Sequence, residues 1–186
     1  DAGPLKERMR EVGDEIKVDK ACFGFLTVDQ LAPGRDLWLL ASGTGIGPFV
    51  SILRDPAVWQ HFERLIVVHG VRNAADLAYR EEIAAIAKQP PFAAARAKLC
   101  YFSSVTREPG TGDFSERIPQ LLASGQLEQQ AGTTLSMHDS RVMVCGTWID
   151  SRPEWSDDDA PNPKNHCPIG HLSSLAAAHP LKLRVM

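Results

Sequence analysis

Apolar residues along this chain follow two rhythms. Short continuous runs at residues 37–41, 65–69, 98–103 and 141–145 are each bounded by Gly, Pro, Asp or Ser, and predict four strands. Between them, residues 48–53, 76–88 and 115–124 carry apolar positions at helical spacing, among them Leu77, Ile83 and Ile86, then Ile118, Leu121 and Leu122. Asp76 and Ser115 are the expected N-caps, with Glu81 and Glu82 suited to an early helical turn. Strands that are apolar on both faces and alternate with helices predict an α/β fold, a parallel sheet flanked by helices.

The two ends follow other patterns. Leu5, Met9 and Val12 recur at helical spacing, after which Ile16 and Val18, then Phe23 and Phe25, predict two short strands around a turn. Residues 1–34 are too few to close a core and are expected to be the edge of something larger, β-rich in character. Residues 147–186 form a proline-rich tail: five of the 13 prolines fall in the last 36 positions, beside the acidic stretch 154–159. Loop is expected there, with a short helix at 172–178 and a strand at 181–185.

At 186 residues and 44% apolar the chain can bury a substantial core. Twenty basic and 23 acidic residues give a formal net charge of −3. With no Lys or Arg stripe, neither nucleic acid nor an anionic membrane surface is an expected partner. No apolar stretch approaches the roughly 20 residues that a bilayer requires, and the first residues have no signal-peptide pattern, so a cytoplasmic protein is expected. Cys22, Cys100, Cys145 and Cys167 form no C-x-x-C pair. A disulfide framework, a zinc site and an iron–sulfur cluster are all unexpected. His166, Cys167 and His171 lack a fourth ligand, so no metal site is assigned. Cys22 and Cys100 read as core.

The chemistry concentrates at Ser42-Gly43-Thr44-Gly45-Ile46-Gly47-Pro48-Phe49, which follows the first strand and opens a helix. Glycines at alternate positions let the backbone turn sharply and approach a ligand closely. The helix that follows offers free N–H groups to an anion such as pyrophosphate. The loop is neither a Walker loop nor the G-x-G-x-x-G fingerprint, and a plain strand-to-helix turn is the alternative.

Seven segments occur in the order found in bacterial ferredoxin (flavodoxin)–NADP reductases. They are Gly3-Pro4-Leu5, Gly13-Asp14-Glu15-Ile16, residues 37–49, Val68-His69-Gly70-Val71-Arg72, Val105-Thr106-Arg107-Glu108, Arg117-Ile118-Pro119 and Val142-Met143-Val144-Cys145-Gly146. From residue 3 to 146 the chain resembles that family. The resemblance implies that residues 35–146 are an NADP-binding domain with a five-stranded parallel sheet, and residues 1–34 the last part of an FAD-binding antiparallel barrel. The family's main flavin motif, Arg-x-Tyr-Ser/Thr, is not among these residues, and after Gly146 the match stops. The implied cofactors are FAD and NADP, the implied partner is ferredoxin or flavodoxin, and a monomer is expected.

The site residues follow from position and resemblance together. Ser42, Gly43, Thr44, Gly45, Gly47 and Pro48 would hold the pyrophosphate side. Arg107 and Arg117 would take the 2′-phosphate, whose geometry suits guanidinium forks, and their alternative is surface pairing with Glu108 and Glu116. By resemblance Thr106 adds a hydroxyl contact. Arg72 is a candidate for pyrophosphate or for an acidic partner protein, against a solvated loop. Cys145 and Gly146 end the last strand where open α/β sheets bind ligands; resemblance sets Cys145 beside the nicotinamide, and the alternative is a packed core thiol. His69 ends a strand but receives no catalytic role, because hydride transfer needs ring alignment more than a titrating group. Two other readings stay open: an NAD(P)H-dependent flavin reductase feeding an oxygenase, and a nucleotide-binding module without catalysis.

Overall fold

The computed structural model describes residues 26–146. In chain order the main elements are β1 (Asp36–Ser42), α1 (Ile46–Leu53), α2 (Pro56–His61), β2 (Arg64–Val71), α3 (Arg80–Ile86), β3 (Lys98–Val105), α4 (Ile118–Ala123), α5 (Gln126–Ala131) and β4 (Ser140–Cys145). The strands form one parallel sheet in the order β3-β2-β1-β4, as an α/β chain with helical crossovers requires. Four strands are described. That is one fewer than the five-stranded sheet the resemblance implies; the strand expected at 181–185 lies outside the described residues, as do the strands and helix expected within residues 1–25, the helix at 172–178, Cys22, and the His166, Cys167 and His171 group.

Alternation along β1 explains why both faces are covered. Leu37, Leu39 and Ala41 join Ile46, Phe49, Leu53, Trp59 and Ile83 on the side of α1, α2 and α3. Trp38 and Leu40 join Ile66, Val68, Ile118, Leu121 and Leu127 on the side of α4 and α5. All five β1 residues are essentially inaccessible to water. Burying each large apolar side chain is worth about 1.5–3 kcal/mol, which makes β1 the keel of the fold. Cys100 is half-buried against the second cluster, and burial pushes its thiol pKa up, against the pull of Arg64 and Lys98.

The edge of the sheet where the strands begin is closed by a buried carboxylate. Asp36, fully buried, pairs with Arg35 at 2.9 Å and with Arg64 at 3.1 Å, and accepts from Thr133 Oγ1 at 2.8 Å. Nearby, the Arg141 guanidinium donates to the carbonyls of Ala32 (2.8 Å) and Pro33, fastening residues 32–33 to β4.

Several helix boundaries differ from expectation. The helix expected at 76–88 is a 3₁₀ turn at Ala74–Asp76 followed by α3, because the Asp76 carboxylate accepts from the Asn73 amide (3.2 Å) and closes a separate turn. Asp76 therefore does not cap α3, which starts after Tyr79 at φ 63°. Ser115 is no N-cap either: Pro119 has no N–H to give and is tolerated only in a first turn, so α4 starts at Ile118. Helices α2 and α5 were not expected. The first carries the usual signature, Asp55 accepting from Ala57 N–H at 2.9 Å with Pro56 in the opening turn. The second is polar, buries only Leu127, and is bracketed by Gly125 and Gly132 in left-handed conformations.

Candidate functional site

Where β1, β2 and β3 end, their loops and residues 115–120 enclose a cleft of ≈ 790 Å³. Seven of the twelve residues expected at the site line it: Ser42, Gly43, Thr44, Arg72, Thr106, Arg107 and Arg117. Register explains the convergence. Ser42 pairs with Gly70 and Val71 with Val105, so three strands end level with one another beside the central β1. In open α/β sheets this crevice, beside the strand where the order reverses, is where ligands bind.

The Gly43–Gly45 turn is gripped from both sides. Gly43 adopts φ +56°, in the region that favours glycine. Its carbonyl accepts from His69 Nε2 at 2.9 Å, while His69 Nδ1 lies 3.2 Å from the Tyr101 hydroxyl. His69 is fully buried and burial lowers its pKa, the Gly43 bond opposing; Tyr101 is pushed up to about 12, also by burial. On the other flank, a Cβ on Gly45 would stand 2.2 Å from the Cys145 carbonyl oxygen, and one on Gly146 the same distance from that of Ser42. Gly45 and Gly146 thus serve close packing of the loop against the end of β4, and neither lines the cleft. Gly47 and Pro48 lie in the first turn of α1, also off the lining, and nothing crowds Gly47.

Three arginines line the cleft, together with the carboxylates Asp76 and Glu116. Arg72, Arg107 and Arg117 have no side-chain hydrogen bond or ion pair among the described residues, where the arginine ion pairs involve Arg35, Arg54, Arg64 and Arg96. The alternative pairing is not realised: Glu108 accepts from the Ala74 amide at 3.0 Å, and Glu116 from the Ser115 amide at 3.4 Å. Three arginines against two lining carboxylates, Asp76 and Glu116, leave the cleft with a basic excess that suits an anion, and the three guanidinium forks carry no hydrogen bond among the described residues.

Sequence reasoning missed the residues that hold these arginines in place. Asp113 accepts from the Ser103 amide (2.8 Å) and hydroxyl (2.7 Å), folding residues 106–114 back on β3. Glu108 staples that loop to Ala74, and Gln120 Oε1 accepts from the Arg117 amide at 3.1 Å. The Asn73-x-x-Asp76 spacing was a readable turn signal; Asp113 had none, because its partner is brought near only by the fold.

Two expectations need refinement. Thr106 Oγ1 donates to the Val71 carbonyl at 3.3 Å, so its hydroxyl must turn before it can donate to a ligand. Cys145 is half-buried against the first core cluster, and burial raises its thiol pKa, the Gly146 amide opposing. It is a protonated thiol at neutral pH, beside the loop but off the cleft lining. Among the described residues, no group of three or more His, Cys, Asp or Glu could hold a metal ion, and no helix is long and apolar enough to cross a membrane.

Residues 39–149 match the model of the oxidoreductase NAD-binding domain family. Ferredoxin–NADP reductase of Azotobacter vinelandii is 36% identical over 150 residues, which cover 78% of this chain and 57% of that protein. Ferredoxin–NADP reductase A of Sorangium cellulosum is 41% identical over 150 residues, covering 78% and 53%. A solved ferredoxin NADP⁺ reductase from Neisseria gonorrhoeae, with bound FAD and NADP, superposes with a TM-score of 0.60 at 31% identity, over 68% of this chain and 48% of that one. The chain spans a little over half the length of the curated relatives it matches.

Proposed function

The chain belongs to the oxidoreductase NAD-binding domain family, and from that premise we propose that it is the NADP-binding part of a ferredoxin or flavodoxin reductase. The observation that carries the reading is a cleft lined by three arginines that have no ion pair among the described residues, beside a glycine turn. Guanidinium forks match phosphate oxygens, and three arginines in one cleft outnumber the two carboxylates that line it, Asp76 and Glu116, which suits a dinucleotide with an additional phosphate.

When bound, NADPH supplies a hydride to FAD, which hands on single electrons to ferredoxin or flavodoxin. This chain's residues bind and orient. The Ser42–Thr44 segment meets the pyrophosphate together with Arg72, and Arg107 and Arg117 take the 2′-phosphate. Cys145 and Gly146, at the end of β4, border the nicotinamide, where an uncharged thiol excludes water without competing for a proton. The reductase reading places the protein in the cytoplasm as a monomer. Preference over a flavin reductase or a non-catalytic module rests on relatives of 36–41% identity that carry the reductase name.

The test is the double variant Arg107→Ala with Arg117→Ala, read as the ratio of NADP⁺ to NAD⁺ affinity. Losing two charge-assisted contacts, each worth about 1.5–3 kcal/mol, should lower the ratio by at least roughly a hundredfold. An unchanged ratio overturns the assignment.

A further inference from the structure

We infer that His69, oriented by Tyr101, is a positioning residue that turns the Thr44 amide toward the anion in the cleft. The inference rests on the nucleotide-binding reading above and adds to it two residues that do not themselves reach the ligand.

One peptide plane, between Gly43 and Thr44, links His69 to the cleft. Gly43 C=O is an acceptor only, so His69 must donate to it through a protonated Nε2 at 2.9 Å. In the neutral ring that leaves Nδ1 with a lone pair, which the Tyr101 hydroxyl, 3.2 Å away, satisfies as donor. Burial of both side chains keeps the ring neutral and the phenol protonated, so the direction of the relay is fixed from Tyr101 to His69 to Gly43. Gly43 C=O and Thr44 N–H are opposite ends of the same planar trans peptide and point in opposite directions. Pinning the carbonyl against buried His69 therefore aims the Thr44 N–H away from the sheet. Thr44 is exposed and lines the cleft, and an amide in the first turn of a 3₁₀ segment has no partner within that segment. The left-handed φ of Gly43 is the conformation in which both ends of this arrangement are met at once.

The test uses the full chain with His69→Leu, His69→Gln and Tyr101→Phe, and two probes. NADP⁺ carries the pyrophosphate; 2′-AMP carries the 2′-phosphate but no pyrophosphate. His69→Leu should weaken NADP⁺ binding about tenfold and leave 2′-AMP within twofold. His69→Gln, whose amide can donate from a position near Nε2, should recover affinity to within about threefold of wild type. Tyr101→Phe should weaken NADP⁺ a few-fold in the His69 background and have no effect in His69→Gln; this pair keeps the inference open to refutation if His69→Leu does not fold. Equal loss of both probes, or no loss of NADP⁺ in folded variants, overturns it. A readout without nucleotide separates this inference from the functional reading: the Thr44 amide resonance in the free protein should move in His69→Leu and return in His69→Gln. An unmoved amide sinks the positioning role. Wild-type protein that binds neither probe sinks the functional reading instead.

Discussion

The Arg107 amide donates to the Arg72 carbonyl at 2.9 Å, just past the last residues of the β2–β3 ladder, so the two arginines leave neighbouring strands side by side along the backbone. Strand order then separates their tasks. β2 adjoins β1 and its glycine turn, while β3 stands one strand further out, about 4.8 Å per strand. Arg72→Ala should therefore weaken NADP⁺ and NAD⁺ alike, by about tenfold, since both carry the pyrophosphate beside β1. Arg107→Ala should weaken NADP⁺ alone. Titration calorimetry with both nucleotides checks the pair, and a selective loss in Arg72→Ala would reverse the assignment.

Gly45 and Gly47 stand two residues apart with opposite tolerances. A Cβ at Gly45 would meet the Cys145 carbonyl at 2.2 Å, and backbone on both sides must move to admit it. Gly45→Ala should cost several kcal/mol, at or beyond the ~1–3 kcal/mol usual for overpacking, and abolish nucleotide binding. At Gly47 the space is open and the backbone is helical. Gly47→Ala should stabilise the fold by about 0.5–1 kcal/mol through helix propensity. Urea unfolding of the two variants distinguishes them by sign.

Asp36 offers a prediction confined to the far edge of the sheet. Its buried carboxylate holds Arg35, Arg64 and Thr133 together, and Asp36→Asn takes the carboxylate away from both guanidiniums. Because both arginine side chains retain some access to water, the cost should be about 3 kcal/mol, at the lower end for a broken buried pair. Nucleotide affinity should stay within twofold of wild type, because the cleft lies at the opposite ends of the strands. A large loss of affinity with unchanged stability would contradict this account.

How much of this was legible in sequence depends on the range of the interaction. The four strands and the loop after β1 were readable because continuous apolar runs and a Gly-x-Gly-x-Gly turn are local signals. Arg107 and Arg117 were readable as a pair only through the resemblance, since nine residues separate them and nothing in their spacing announces a shared cleft. Helix α2 was missed despite the Asp55-Pro56 signal, while α5 offered little apolar periodicity to read. The Asp113 and Glu108 supports, and the His69 relay to Gly43, depend on strand register. Ala41 pairs with His69, and His69 with Ser103, a geometry that exists only once the sheet has formed.

His69 also ties stability to pH, with a sign that follows from its burial. In the unfolded chain the imidazole titrates near its ordinary value of 6.5; in the fold its pKa is lower, burial outweighing the Gly43 hydrogen bond. Between the two values the unfolded state binds more protons, so stability rises with pH across that window. The contribution of His69 is complete above about pH 6.5 and is lost as pH falls through the folded value. His69→Gln has nothing to protonate there, so its unfolding free energy should be flatter than wild type just below pH 6.5 and parallel to it at higher pH. Equilibrium unfolding in urea at half-unit pH steps measures the difference. Curves that stay parallel through the acid range would mean that the imidazole is not held neutral by the fold, and the donor direction from Tyr101 through His69 to Gly43 would fall with it.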